Sequence, residues 1–400
     1  MIDYSYMNAE GPKEQYEYED SRVHIDNHKP QLSFIRNGYI LPTRQDKSRI
    51  WGAGGVLDSE KRFVEISGID DAFGGKYDIA DSEVKVVHET VLYIGVIPDH
   101  WGHFLIDCVS RIWGAMEVRD SVIIAYCTFT YDYNPLAGNY GEFIKLLGID
   151  TDRFIRVEMP MKFDEIIIPE RIMSFGLECN AHYVSVIKKV IDNALSVPID
   201  NEVIDKIYFS RRHFRPAIDT EVGEEEIEEN FRRNGFAVLY PEELSLRKLI
   251  FYLQNCRVAV SLSGTAAHNA IFAGKDAKII ILNRICVPNQ PQLRLNKLFD
   301  IDHTYVDVYN SKMLKTQNHY GAGVAYVEVT KYLENWLRDN GYAIHKKNVK
   351  TKNEIDYLIK SSVYNTGKKI RMMKNRIKFV CPSLYCKVKK IKHRFTKRGD

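Results

Sequence analysis

Long apolar runs are missing from this 400-residue chain, and no stretch approaches the roughly 18 residues that a membrane-spanning helix needs. Cysteine is sparse and scattered. The seven residues (Cys108, Cys127, Cys179, Cys256, Cys286, Cys381 and Cys386) are odd in number and contain no Cys-x-x-Cys pair. That pattern argues against a disulfide framework and against structural zinc, and it reads as reduced, mostly buried thiols of a cytoplasmic protein. The Gly-x-x-x-x-Gly-Lys loop of nucleoside triphosphatases is absent, as is the Gly-x-Gly-x-x-Gly turn of nicotinamide enzymes, so neither class is supported. The opening MIDYSYMNAEGPKEQYEYED is acidic and polar, and a signal peptide is not expected. No internal repeat recurs at a fixed period.

What is present is the composition of a folded, globular chain, 45% hydrophobic and 27% charged, long enough for two domains of ordinary size. The net charge of +3 conceals an asymmetry. Residues 346–400 hold 18 Lys or Arg against 3 acids, leaving 38 basic and 50 acidic groups in the rest of the chain. An acidic body with a basic end suggests that the end has an electrostatic partner of its own.

Residues 1 to about 60, including WGAGG at 51–55, give no firm periodicity. Beyond them the pattern sharpens. KVVHETVLYIGVIP (85–98) reads as a hairpin or a pair of strands, and HFLIDCVSRIWGAMEV (103–118) has the apolar spacing of one helix face. Strands are expected at 121–129 and 165–170, and a helix at 182–197. From about residue 205 the chain alternates strand and helix: KIYFSRR, a helix stopped by Gly235, FAVLYP, LSLRKLIFYLQNC, RVAVSLS, TAAHNAIFAG and AKIIILN. Continuous Val/Ile/Leu strands between helices are the signature of a parallel sheet covered on both faces. The expectation is α/β, as two units in tandem: residues 1–200, residues 201–345, and a basic amphipathic tail at 346–400.

Three stretches carry candidate chemistry. SLSGTAAHNAIFAG (261–274) leaves a buried strand through small residues, where ligands bind in open α/β sheets. Gly264 lets the backbone approach a ligand, Ser263 and Thr265 can cap the helix or donate to phosphate, and His268 and Asn269 follow a turn later. A capped helix with a packed Asn would have the same sequence. YFSRRHFRP (208–216) places Arg211 and Arg212 at a strand end, suited to bidentate phosphate contacts or simply solvated. DHWGHFLIDCVSR (99–111) sets His103 and Asp107 four apart on one helix face. A His oriented by a carboxylate is a competent general base, although a helix cap with Asp107 and Arg111 as an ion pair fits too. Asp99 and His100 stand close enough in sequence to compete for the role.

Together these stretches resemble glycosyltransferase family 61, whose bacterial members occur in capsular polysaccharide biosynthesis. GHFLID (102–107) is similar to the family's Gly-His-Phe/Trp-Leu-Ile/Leu-Asp segment, and YFSRR to its strand ending in Ser-Arg. PEELSLRKLIFYLQNC (241–256) looks like its Pro-Glu-x-Leu-Ser/Thr segment, and SLSGTAAHNAIFAG like its small-residue Gly turn ending in Asn. Order and spacing fit over roughly residues 85–285. Many members have His or another polar residue at the position of Ser263 and Gly at that of Ala266, where this chain departs.

The resemblance implies a GT-B-like architecture, with two Rossmann-like domains facing a cleft, and transfer of a sugar from a nucleotide donor, usually with inversion. Arg211, Arg212, Glu243, Ser263, Gly264, Thr265, His268 and Asn269 become donor-site candidates, with His103 or Asp107 near the reacting hydroxyl. A UDP-sugar is the expected donor and substrate, and neither cofactor nor metal is expected. Cations and a helix N-terminus can stabilise a departing diphosphate. The Asp-x-Asp pairs at 150/152 and 300/302 read as surface turns.

The basic end interleaves Lys and Arg with apolar residues, which fits an anionic membrane surface and a lipid-linked glycan acceptor. The expectation is a cytoplasmic, membrane-peripheral hexosyl- or pentosyltransferase building a surface polysaccharide, with no nucleic-acid partner. The rival is a non-catalytic α/β protein that binds a nucleotide sugar or a polyanion.

Overall fold

The computed structural model describes residues 2–380 apart from 47, 131–132, 174–175, 317–322 and 346–349, with side chains described except at 314–316, 350 and 370–380. Cys381 and Cys386 lie outside the described residues. Two main sheets organise the chain. The first has seven strands in the spatial order Ala53–Leu57, Tyr39–Arg44, Met161–Pro169, Lys85–Val96, Ile123–Cys127 and Phe154–Arg156, with Leu32–Arg36 also paired to Met161–Pro169. Its Lys85, Ile123, Phe154 and Met161 strands run parallel, and the Leu32–Leu57 portion is joined antiparallel. The second sheet is wholly parallel: Ile2–Tyr6, His303–Asp307, Lys278–Asn283, Val258–Leu262, Lys206–Phe209, Ala237–Leu239.

Mixed α/β architecture is therefore what the strand and helix spacing predicts, with three differences. The 85–98 segment is one long strand and not a hairpin, because Lys85–Val96 holds no turn residue before Gly95. The first strand of the chain, Ile2–Tyr6, is an edge of the second sheet, so the 1–200 unit does not begin at the first residue. Half-buried Tyr4 stacks on buried Tyr305, which explains the placement of a strand too short and polar to show a period. Finally, the basic end is not all tail. Lys350–Val380 is a helix that buries Tyr357 and Ser361, and Tyr357 packs with Tyr326 of the second unit. No helix among the described residues is long and apolar enough to cross a membrane.

The two units are joined by packing. The largest buried cluster takes Ile94, Phe104, Ile124 and Ile167 from the first sheet and its helices, and Ile207, Ile250, Ile281 and Leu295 from the second. Polar bonds reinforce this layer: Leu246 N donates to Glu142 at 2.8 Å, and Asn139 Nδ2 donates to the Leu244 carbonyl at 3.1 Å.

Candidate active site

Topology locates the crevice. From Lys206–Phe209 the chain steps to Ala237–Leu239 on one side, whereas from Val258–Leu262 it steps to Lys278–Asn283 on the other. These two starting strands are neighbours, so their carboxyl ends flank the point where strand order reverses, the place where open α/β sheets bind ligands. Ser210-Arg211 and Ser263-Gly264 leave from those ends, and Arg284 leaves from the end of Lys278–Asn283.

Arg211, Arg284 and Glu221 form one cluster there. Arg211 Nε donates to both Glu221 oxygens at 3.1 Å, its Nη2 lies 2.8 Å from Oε1, and Arg284 Nη1 donates to the same Oε1 at 3.1 Å. The terminal nitrogens outside these bonds, Arg284 Nη2 and Arg211 Nη1, face Gly264, 3.6 and 3.9 Å from where a Cβ would stand. Gly264 has φ +120°, a conformation that L side chains rarely adopt, so the residue type is set by backbone and space alike. Burial works against the charge on Glu221, but Arg211 and Arg284 outweigh it and hold the carboxyl below its ordinary value. Beside them, burial and then the Glu221 charge push Glu224 up to about 7. With two guanidiniums against one carboxylate and a second carboxyl near half-protonation, the cluster carries surplus positive charge around Gly264.

The first unit contributes the segment Trp101–Glu117, whose expected helix contains a π-helical turn at Phe104–Cys108. Such turns are frequent at functional sites because the extra residue re-aims side chains. Here Asp107 is almost fully buried while the His103 side chain stays 44% exposed, and His103 Nδ1 lies 3.0 Å from Asp107 Oδ2. The other Asp107 oxygen accepts from Arg171 Nη2 at 3.3 Å, and Arg171 Nη1 donates to Asp70 at 2.9 Å. Asp107 thus pairs with Arg171, not Arg111. Arg111 is buried and donates to the carbonyls of Ile66, Gly68 and Pro169. Trp51 meets the His103 ring edge-on, with centroids 4.9 Å apart. A proton on Nδ1, directed at Asp107, would leave Nε2 as the basic nitrogen of His103.

The two halves meet at Gly102. A Cβ there would stand 3.0 Å from Thr265 Oγ1 and 3.2 Å from His268 Cδ2, so the His103 segment and the Gly264 turn are in direct contact. Trp101 Nε1 donates to Asn269 Oδ1 at 2.8 Å, and His100 Nε2 lies 3.4 Å from Thr265 Oγ1. The His100 ring lies 4.9 Å from that of His103. Desolvation in the crevice, then the charges of His103, Arg211 and Arg284, hold His100 down to about 4. Buried His268 is held down to about 4 as well, chiefly by desolvation, while its Nδ1 lies 2.8 Å from Gln292 Oε1. Both imidazoles are neutral near pH 7.

The candidates drawn from sequence divide on this geometry. Arg211, Gly264, Thr265 and His268 converge on the crevice with His103 and Asp107. Ser263 is buried and accepts from Arg284 N at 3.2 Å. Asn269 is buried, with its carbonyl engaged by Trp101. Arg212 lies to one side and binds Glu228 at 3.2 Å, a carboxylate shared with Ser210 and Arg232. Glu243 is exposed and pairs with His213 at 2.6 Å, where His213 stacks on Tyr240. All four Asp-x-Asp carboxylates are exposed, and Asp150 caps its own turn by accepting from Asp152 N. Among the described residues, no group of three or more His, Cys, Asp or Glu could hold a metal ion.

Arg284, Glu221, Arg171 and Trp51 were not singled out from sequence. Arg284 had a readable signal, since it follows AKIIILN and so stands at a strand's carboxyl end. Arg171 likewise follows the strand expected at 165–170, and Glu221 stands just before the helix stopped by Gly235, whereas Trp51 comes from a segment without periodicity; the partners of all three are set only by the fold. Beyond Arg171 a cavity of about 850 Å³ opens in the first unit, lined by Gln31, Ser33, Arg49, Phe63, Asp70 and Arg171 among others.

Residues 101–280 match the family model described as Glycosyltransferase 61, which supports a glycosyltransferase. The matched span covers under half of the chain. It opens at Trp101 and closes within the strand that leads to Arg284, so it takes in both halves of the crevice. No curated protein matches the chain.

Proposed function

We propose that the protein transfers a sugar from a nucleotide-sugar donor to a hydroxyl of a glycan acceptor, with inversion. The observation that carries this reading is the meeting of the Arg211–Glu221–Arg284 cluster with the His103–Asp107 pair across Gly102 and Thr265. In the proposed step His103 Nε2 takes the acceptor proton as the hydroxyl oxygen bonds to the anomeric carbon. The bond from that carbon to the diphosphate breaks, and the nucleoside diphosphate leaves against Arg211 and Arg284. Asp107 keeps the imidazole in the tautomer that can accept the proton and offsets the charge it gains. Two guanidiniums preorganised at the leaving group supply the charge stabilisation such a departure needs, so the reaction is proposed to run without a divalent cation.

The proposal extends to finer assignments. They are a GT-B type division of labour between the units, a UDP-sugar donor, and the cavity beyond Arg171 as a place for acceptor residues. A lipid-linked, growing capsular or other surface polysaccharide is the proposed acceptor. It would be met by a cytoplasmic enzyme peripheral on the membrane through residues 346–400. A panel of nucleotides and nucleotide sugars, read by thermal stabilisation, tests the donor assignment. A ligand at a hundred times its dissociation constant adds about 2.7 kcal/mol. One base should stand out, and Arg211→Ala should cut its effect by half or more. If no compound stabilises the protein, the donor reading falls.

A further inference from the structure

The Lys350–Val380 helix has two unlike faces. Inward, Tyr357 and Ser361 are buried and Tyr364 packs against the Val222–Val324–Tyr326 cluster. Lys360 Nζ donates to the Glu221 carbonyl at 3.0 Å, so this face reaches the residue that holds both arginines. Outward, Ile355, Leu358, Ile359 and Val363 are 54%, 60%, 58% and 68% exposed. At about 100° per residue the outward row sits about half a turn from the docked one. Four large apolar side chains within nine residues of one helix are more than the scattered exposure ordinary to a protein surface.

Charge says what covers them. Residues 350–380 hold nine Lys or Arg against two acids. A second copy of the helix would set that surplus against itself, whereas an anionic leaflet would neutralise it. Most of the surplus follows the stripe in sequence, at Lys368, Lys369, Arg371, Lys374, Arg376 and Lys378, so that an anionic headgroup region could take the apolar stripe and the basic run of one helix together. Docking on the second unit also holds the helix in place around Tyr357–Tyr364, which lowers the ordering cost of membrane contact.

We infer that the face made by Ile355, Leu358, Ile359 and Val363 lies on an anionic lipid bilayer. This rests on the membrane-peripheral part of the function proposed above and assigns its contact surface. It also sets the Glu221 cluster on the membrane side of the molecule, one helix away from the lipid.

The test is co-sedimentation of the full chain with vesicles of equal parts phosphatidylglycerol and phosphatidylcholine, against phosphatidylcholine alone. Binding should favour the anionic vesicles and weaken with salt. The double variant Ile355→Glu/Ile359→Glu should lose roughly tenfold or more of that binding. Both positions are exposed, so its melting temperature and its stabilisation by nucleotide should not change. The inference is overturned if the anionic vesicles bind nothing, or if the double variant binds as the parent does. It is also overturned if the parent is a dimer in solution that the double variant disperses, since a second copy then covers the face. Vesicle binding is read without donor or acceptor, so its failure leaves the transfer reading intact, and failure of nucleotide binding leaves this inference intact.

Discussion

Replacing Glu221 by Gln separates an anion site from an ordinary buried ion cluster. In the protein as it stands, one buried carboxylate accepts from Arg211 at 3.1 Å and from Arg284 at 3.1 Å. The amide keeps the shape but removes the charge, so two largely buried guanidiniums face each other without their counter-ion. Breaking a buried ion pair in this way costs about 3–5 kcal/mol of stability, measurable as a lower urea midpoint with unchanged slope. If the cluster exists to hold a diphosphate, the same change leaves more positive charge for the ligand. A tenfold gain in affinity would raise the stabilisation at a fixed nucleotide concentration from about 2.7 to about 4.1 kcal/mol. The expected result is therefore opposite in sign for the two measurements: a less stable free protein and a larger stabilisation by nucleotide. Loss of stability together with loss of binding would refute the reasoning, because Glu221 would then be needed to build the site and not to balance it.

Arg284→Ala and Arg211→Ala should each weaken nucleotide binding by about 1.5–3 kcal/mol, while replacing Arg212, bonded to Glu228, by Ala should leave it within about threefold in a calorimetric titration. His103→Ala should lower turnover by roughly 10²–10⁴ with nucleotide binding unchanged, and Asp107→Asn should fall in the same range because the amide can donate to Nδ1 and impose the wrong tautomer. Glu224, raised to about 7 from an ordinary 4.5, favours the folded state when protonated. That contribution is complete below about 4.5 and is lost as pH rises through about 7. Because the protonated form leaves the arginines in excess, affinity for a nucleotide sugar, whose diphosphate diester does not itself titrate there, should decline as pH rises through about 7. Glu224→Gln should flatten that profile in titrations carried from well below to well above about 7. Gly102→Ala would place a methyl group 3.0 Å from Thr265 Oγ1 and should cost about 1–3 kcal/mol in denaturant unfolding, with turnover falling as the two halves separate.

Local rules were enough for four strands of the second sheet, Lys206–Phe209, Ala237–Leu239, Val258–Leu262 and Lys278–Asn283. Strand-forming runs such as RVAVSLS and AKIIILN alternate with helices at short spacing, and a parallel sheet follows from that pattern alone. The same logic placed Arg211 and Gly264 at strand ends, and the i, i+4 spacing placed His103 beside Asp107, which the structure holds at 3.0 Å. Such features depend on neighbours along the chain, so a linear reading reaches them. It did not reach the Ile2–Tyr6 strand, which is five residues long and is recruited by Tyr305 from the far end of the chain. Nor did it reach the ion partners. Asp107 takes Arg171, 64 residues away, although Arg111 lies one turn along the helix, because the Arg111 side chain is drawn into the core by backbone carbonyls. Glu221 and Arg284 join across 63 residues, and Gly102 touches Thr265 across 163. Periodicity determines which face of an element is apolar and which residues stand at its ends. Which ends come together depends on how two buried faces pack, and that is a property of the whole chain.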